Sequence, residues 1–170
     1  MAVNKDDFSN RKIFLNPIGY IDSRYAHYSD IPRPHSKKGW TDDISRLVLY
    51  PEHHAKIEGL EGYSHMIILY WIHKARGWRM PKDHGKPPRV RLFATRMPIR
   101  PNPIGLSVVE IVEFSPESGR ITVKGLDALN GSPLLDIKPY IPYFDSFPEA
   151  TLPDWVKEHL RKHHHPHQEK

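Results

Sequence analysis

The chain has 170 residues, with 25 Lys and Arg against 20 Asp and Glu, 17 prolines, 10 glycines and no cysteine. That length suits one domain with a real core, and the absence of cysteine excludes disulfides and thiolate chemistry. No apolar run approaches the roughly 20 residues of a membrane helix, and the opening "MAVNKDDFSNRK" has no apolar signal segment, so a soluble cytoplasmic protein is expected.

In chain order, residues 1–11 read as an N-terminal extension. Short runs rich in Ile, Val, Leu and Tyr then predict seven strands over 12–147. They lie near Lys12–Ile21, Ser45–Leu49, His65–His73, Val90–Thr95, Leu106–Phe114, Arg120–Leu126 and Leu134–Ile137. "ISRLVLY" and "RITVKGL" alternate in part, as half-buried strands do. "HMIILYWIH" is nearly continuous apolar, which predicts cover on both faces. "PEHHAKIEGLEG" has room for one or two helical turns, while "SPESGR" and "NGSP" are turn chemistry. Over 148–162, "LPDWVKEHLRKHH" predicts a short amphipathic helix. The His-rich tail, 163–170, is expected to be disordered. Many short strands and no alternating long helices predict a mainly β chain, a single compact β-barrel of about seven strands with a short C-terminal helix.

Common cofactor and catalytic signatures are missing. No G-x-G-x-x-G follows a strand, and neither a phosphate-binding G-x-x-x-x-G-K-S/T nor H-E-x-x-H nor G-x-S-x-G occurs. The twelve histidines show no metal-ligand spacing, so no metal is assigned. Charge is more informative. Between Lys74 and Arg100 stand Lys74, Arg76, Arg79, Lys82, Lys86, Arg89, Arg91, Arg96 and Arg100, opposed only by Asp83. A phosphate-bearing partner or a solvated loop both fit that excess. Directly after it comes "RPNPIG". Pro101 and Pro103 stiffen this turn, and it carries Arg100 and Asn102. Further on, "GLDALNGSPLLDIKPYIPYFDS" sets Asp127, Asn130, Asp136, Lys138 and Tyr140 among apolar residues. Asp136 and Lys138 share a face if the segment is a strand. Asp127, at a strand end, can accept hydrogen bonds from a ribose or an amino group.

Three blocks carry a likeness: "GLEGYSHMIILYWIHKA", "FATRMPIRPNPIGLS" and "GLDALNGSPLLDIKPYIPY". In order, spacing and wording they resemble the TsaA-like family of TrmO-type S-adenosylmethionine-dependent tRNA methyltransferases, over roughly Ile18 to Phe147. The resemblance implies a dimerising β-barrel with S-adenosylmethionine near the subunit interface. It also implies methyl transfer to N6 of threonylcarbamoyladenosine at position 37 of tRNA. Carried over position by position, it implies cofactor contacts at Pro34, His35 and Ser36, at His73 and Lys74, at Arg96 and Leu106, and at Lys124, Gly125, Leu126 and Asp127. Arg33, Arg100 and Asn102 become substrate-binding candidates, an arginine fork being suited to the carboxylate of the threonylcarbamoyl group. N6 must lose a proton on methylation, and Asp136 and Tyr140 are the candidate catalytic groups. The partners implied are tRNA and a second copy of the chain. Two other readings stay open: the same chemistry on a small molecule, and a non-catalytic RNA-binding barrel.

Overall fold

The computed structural model describes residues 13–31, 42–80 and 86–163. Alternation of apolar and polar side chains builds six strands: β1 (Gly19–Asp22), β2 (Ile44–Leu49), β3 (His65–Trp71), β4 (Ile104–Ser115), β5 (Arg120–Lys124) and β6 (Pro133–Pro139). They close into a barrel in the order β1-β2-β5-β4-β3-β6, every pairing antiparallel. Closure leaves no free sheet edge. Two short helices follow, α1 (Pro142–Asp145) and α2 (Asp154–His163). Among the described residues no helix is long and apolar enough to cross a membrane.

The core is the barrel's lumen. Ile21, Leu47, Met66, Ile68, Val109, Ile121, Val123, Leu126 and Leu134 are almost wholly removed from water there. Each fully buried aliphatic side chain of this kind contributes about 1.5–3 kcal/mol. Each strand sends alternate residues inward, so one residue of slip would expose the whole set.

Besides the short helix α1, which was not expected, and the later start of α2 at Asp154, the structure differs from the sequence expectation at three places in the barrel. The strand expected at Val90–Thr95 is a single 3-10 turn, Leu92–Ala94. Pro87 and Pro88 precede it, and the Thr95 hydroxyl closes it on the Leu92 carbonyl at 2.7 Å. The first strand begins only at Gly19, leaving Ile13, Phe14 and Leu15 exposed. Finally, β3 is covered on one face only. Met66, Ile68 and Tyr70 point into the barrel, whereas Ile67, Leu69 and Trp71 on the outer face are half-buried. The apolar run is real, but among the described residues its outer side is less fully covered than its inner side.

Candidate functional site

At one mouth of the barrel four chain segments meet. Gly125 leaves β5 with φ at 86°, a left-handed turn that suits glycine. The segment it starts, Leu126 to Ser132, crosses the mouth and is fastened to the exit of β1. Ser23 Oγ donates to the Ala128 carbonyl at 2.8 Å, the Ser23 amide to Asn130 Oδ1 at 3.2 Å, and the Asn130 amide to the Tyr25 carbonyl at 2.8 Å. Tyr25 in turn donates its phenol to Asp43 at 2.7 Å. From the end of β3, His73 Nδ1 lies 3.2 Å from Ser132 Oγ, and Lys74 Nζ donates to the Ala26 carbonyl at 3.4 Å.

Asp127 is the centre of this mouth. Its Oδ1 receives Ser107 Oγ at 2.7 Å and Tyr70 Oη at 3.2 Å. Both donors are buried, on inward positions of β4 and β3, while Asp127 itself is exposed. The carboxylate is therefore held from below by two neutral hydroxyls and faces outward. Tyr70 can stand there because Gly105 opposes it across the β3–β4 ladder. A Cβ at position 105 would overlap the Tyr70 ring. Burial, with the Asp127 charge second, pushes the Tyr70 phenol far above its ordinary range. It stays protonated and serves as a donor, never as a base. His73 is held below its ordinary value by desolvation and then by the Lys74 charge, which favours a neutral imidazole.

The RPNPIG turn forms the adjoining wall. The Ile72 amide donates to the Pro103 carbonyl and the Ile104 amide to the Asn102 carbonyl, both at 2.8 Å. Arg100 folds back on its own loop: Nη1 donates to the Thr95 carbonyl at 2.9 Å, and the guanidinium sits 5.6 Å over the Phe93 ring. It is thus pre-set by backbone carbonyls and an aromatic face rather than by a carboxylate. Asn102 and Arg96 are exposed beside it.

The residues singled out in the sequence separate into three sets. His73, Lys74, Gly125, Leu126 and Asp127 gather at the mouth, with Arg100 and Asn102 on the turn beside it. Leu126 is wholly buried, so only its backbone is in reach of a ligand. Leu106, Lys124 and Asp136 lie on the outer wall, Leu106 and Asp136 in one row across Leu69. Asp136 pairs there with Lys138 at 2.5 Å. Tyr140 stands at the opposite end of β3, its amide on the His65 carbonyl at 3.1 Å and its ring edge-on to His65. Five residues separate His65 from Tyr70 along β3, about 17 Å at a strand's rise. Arg33, Pro34, His35 and Ser36 lie outside the described residues, as do residues 164–170 of the His-rich tail, while His163 ends α2. Reading the sequence missed Tyr70 and Ser107. The signal for Tyr70 was the two-residue period running Met66, Ile68, Tyr70, which puts the tyrosine on one face with two core residues.

A closed antiparallel barrel with a carboxylate, an imidazole and an ammonium around one mouth defines the chain as a β-barrel domain with a polar mouth. Residues 20–146 match the family described as the tRNA-methyltransferase O N-terminal domain, and the chain belongs to that family. An S-adenosyl-L-methionine-binding protein of Archaeoglobus fulgidus is 40% identical over 134 residues, 78% of this chain and 93% of that one. The tRNA (adenine(37)-N6)-methyltransferase of Escherichia coli is 37% identical over 142 residues, covering 79% of this chain and 60% of that one. The crystal structure of TrmO from Pseudomonas aeruginosa superposes with a TM-score of 0.68 at 36% identity, over 83% of this chain and 62% of that one. The chain thus spans about three-fifths of these last two proteins and nearly all of the archaeal one.

Proposed function

We propose that this chain is an S-adenosylmethionine-dependent methyltransferase acting on N6 of adenine 37 in tRNA, in the cytoplasm, with the threonylcarbamoylated base as its substrate. The observation that carries the proposal is the family match over 20–146, which takes in every segment of the mouth. The donor set fits the methyl donor. A carboxylate that can only accept, next to a neutral imidazole, suits a nucleoside offering hydroxyl and amino donors and a positively charged sulfonium. When bound, S-adenosylmethionine supplies the electrophilic methyl group.

The chain's own residues then do the holding and orienting. Asp127, with His73, Lys74 and the backbone of Gly125 and Leu126, holds the cofactor, joined by Arg96, Leu106, Lys124 and the loop residues Pro34, His35 and Ser36. Arg100, Asn102 and Arg33 bind the substrate; the Arg100 donors not used on the Thr95 and Met97 carbonyls have no hydrogen-bond partner among the described residues and can fork onto a carboxylate. Asp136 and Tyr140 remain the proposed catalytic pair, orienting N6 and taking its proton. Within one protomer both stand away from Asp127, so they reach the reaction from a second copy of the chain.

That second copy packs on the outer wall. Trp71 and Ile104, Leu69 and Leu106, and Ile67 and Val108 are paired rows of apolar side chains there, Leu106 being 48% exposed. A contiguous apolar face of this sort marks an interface. Leu106→Arg is expected to turn a dimer into a monomer by light scattering and to abolish methylation. The function itself is tested with labelled S-adenosylmethionine and threonylcarbamoylated tRNA, followed by nucleoside mass spectrometry. Gain of one methyl on that nucleoside supports it. No transfer, with cofactor binding intact, refutes it.

A further inference from the structure

The loop that walls the mouth carries an aromatic ring that is both exposed and held in place. Phe93 is 78% exposed. Scattered exposed apolar side chains are ordinary on a protein surface, so exposure alone says nothing. What sets Phe93 apart is its support. It stands on the 3-10 turn Leu92–Ala94, where Leu92 is half-buried while Phe93 and Ala94 are exposed. Thr95 closes that turn on the Leu92 carbonyl twice, by its hydroxyl at 2.7 Å and its amide at 3.0 Å. The Arg100 guanidinium lies 5.6 Å from the centre of the Phe93 ring, and its Nη1 is fixed on the Thr95 carbonyl at 2.9 Å. Pro98, Pro101 and Pro103 stiffen the chain around it. One face of the ring thus carries an anchored cation, and the other is open to solvent.

Charge and position say what such a ring can meet. From Lys86 to Val109 the chain has five cations, Lys86, Arg89, Arg91, Arg96 and Arg100, and no carboxylate. Arg89, Arg91 and Arg96 are exposed. Arg100 runs directly into the RPNPIG turn, where the Pro103 carbonyl takes the Ile72 amide at 2.8 Å, one residue before His73. Ring, cations and mouth are therefore joined by one short, bonded path. The exposed pair Tyr143 and Phe144 is a contrast. Those rings pack edge-on against each other at 5.1 Å, and Ile141 to Phe147 holds Asp145 and no cation. Rings interleaved with cations are the surface that single-stranded nucleic acid takes. Bases stack on the rings and the cations meet phosphates.

We infer that Phe93 is a further substrate-binding residue, a stacking platform for the RNA base next to the one that is methylated. This rests on the tRNA methyltransferase reading and deepens it. A base whose N6 is to meet a sulfonium in line must leave its stack. Its neighbour in the RNA loop then loses an aromatic contact, and the open face of Phe93 supplies one. Every base has a π-face, so this contact is indifferent to sequence. Arg100, on the ring's other face, ties the platform to the proposed carboxylate fork. One rigid loop then grips both the flanking base and the modified one.

The test is Phe93→Leu in the full chain, with Phe93→Tyr as the variant that keeps the ring. The probe is a fluorescein-labelled stem-loop RNA with threonylcarbamoyladenosine in its loop, titrated by anisotropy under saturating S-adenosylhomocysteine. Phe93→Leu should weaken RNA binding roughly 5- to 50-fold, the span of one lost base–aromatic stack. It should raise KM for the RNA more than it lowers kcat. Phe93→Tyr should bind within about twofold of wild type, since the π-face is kept. Affinity for S-adenosylhomocysteine should stay the same in both variants. Added salt should weaken wild type and Phe93→Leu alike and leave their ratio intact, because a stack releases no counterions. Unchanged RNA affinity in Phe93→Leu overturns the inference, as does an equal loss in Phe93→Tyr. A parallel loss of S-adenosylhomocysteine affinity also overturns it, by making Phe93 a support of the mouth. So does a ratio that vanishes with salt, which would leave only the charge of Arg100. If RNA binding depends on Phe93 but no methyl is transferred, the methyltransferase reading fails and the platform stands. If the wild-type protein binds no RNA, both fail together.

Discussion

The inward and outward faces of β3 and β4 differ by a single residue of register at every position. Inward stand Tyr70 and Ser107, two buried hydroxyls that finish on Asp127. Outward stand Leu69 and Leu106, with Asp136 in the same row. The inner face is apolar except where a carboxylate completes it. The outer face is exposed except for what its own neighbours cover, and its carboxylate is met by Lys138. Two aspartates thus sit near the same pair of strands in different conditions. Asp127 is held by two neutral hydroxyl donors. Asp136 already has a cation beside it. Substitutions should separate these conditions cleanly.

The largest effect is expected at Asp127. Asp127→Asn keeps the shape but replaces a charged acceptor with a neutral amide. Hydrogen bonds to charged groups are worth about 1.5–3 kcal/mol, so S-adenosylhomocysteine affinity should fall roughly 10- to 100-fold. Calorimetry measures this directly. A loss no greater than that of Ser107→Ala would mean the carboxylate only supports its neighbours. Next comes Gly105→Ala. The new methyl meets the Tyr70 ring, and overpacking of this kind costs about 1–3 kcal/mol. The urea midpoint should drop, and affinity should fall with it because Tyr70 is pushed off Asp127. A Gly105→Ala protein as stable as wild type would show that the ring has room to move.

Much of this fold could be read before the structure was known, and the limits have physical causes. The strand cores at Ser45–Leu49, His65–His73, Arg120–Leu126 and Leu134–Ile137 were visible because β-branched and apolar residues cluster between turn formers. The Val90–Thr95 strand was misread because apolar composition alone cannot say whether a ladder partner exists. Asp127 was read as a strand-end carboxylate, and what the structure adds is the pair of hydroxyls, Tyr70 and Ser107, that hold it. Tyr70 was hidden inside an apolar run, since the two-residue period puts it on one face with Met66 and Ile68 but only the barrel's closure decides that this face is the inner one. Arg100 was legible as a fork, but its grip on the Thr95 carbonyl depends on a loop path that composition does not encode.

A smaller effect should appear with pH. His73 has its protonation disfavoured in the folded state by desolvation and by Lys74. A base whose folded value lies below its unfolded value of about 6.5 costs nothing while neutral in both states. As pH falls below that value the unfolded chain binds the proton first, so stability declines until the folded value is passed. Melting temperature should therefore drop between pH 7.5 and 5.5, and His73→Gln should remove part of that drop. If the two proteins lose stability in parallel, His73 is not a source of it, and the inner mouth is less dry than its hydrogen bonds suggest.

The smallest effect on the folded protomer is expected at the outer pair. Lys138 and Asp136 are 59% and 43% exposed, and ion pairs in that much water contribute about 0–1 kcal/mol. Lys138→Met should leave the melting temperature within about 2 °C of wild type. Asp136→Asn should do the same and should leave cofactor affinity untouched, in contrast to Asp127→Asn. What it should lower is the methylation rate, because the proposed role of Asp136 lies across the interface. Mixed dimers make the comparison sharp. An Asp136→Asn subunit paired with an Asp127→Asn subunit has one mouth with both carboxylates intact and one with neither. Such a mixture should recover about half of wild-type activity in the heterodimer, although each parent alone is impaired. No recovery on mixing would place Asp136 in its own protomer's chemistry or in none, and the two faces of β3 and β4 would no longer be joined by a second subunit.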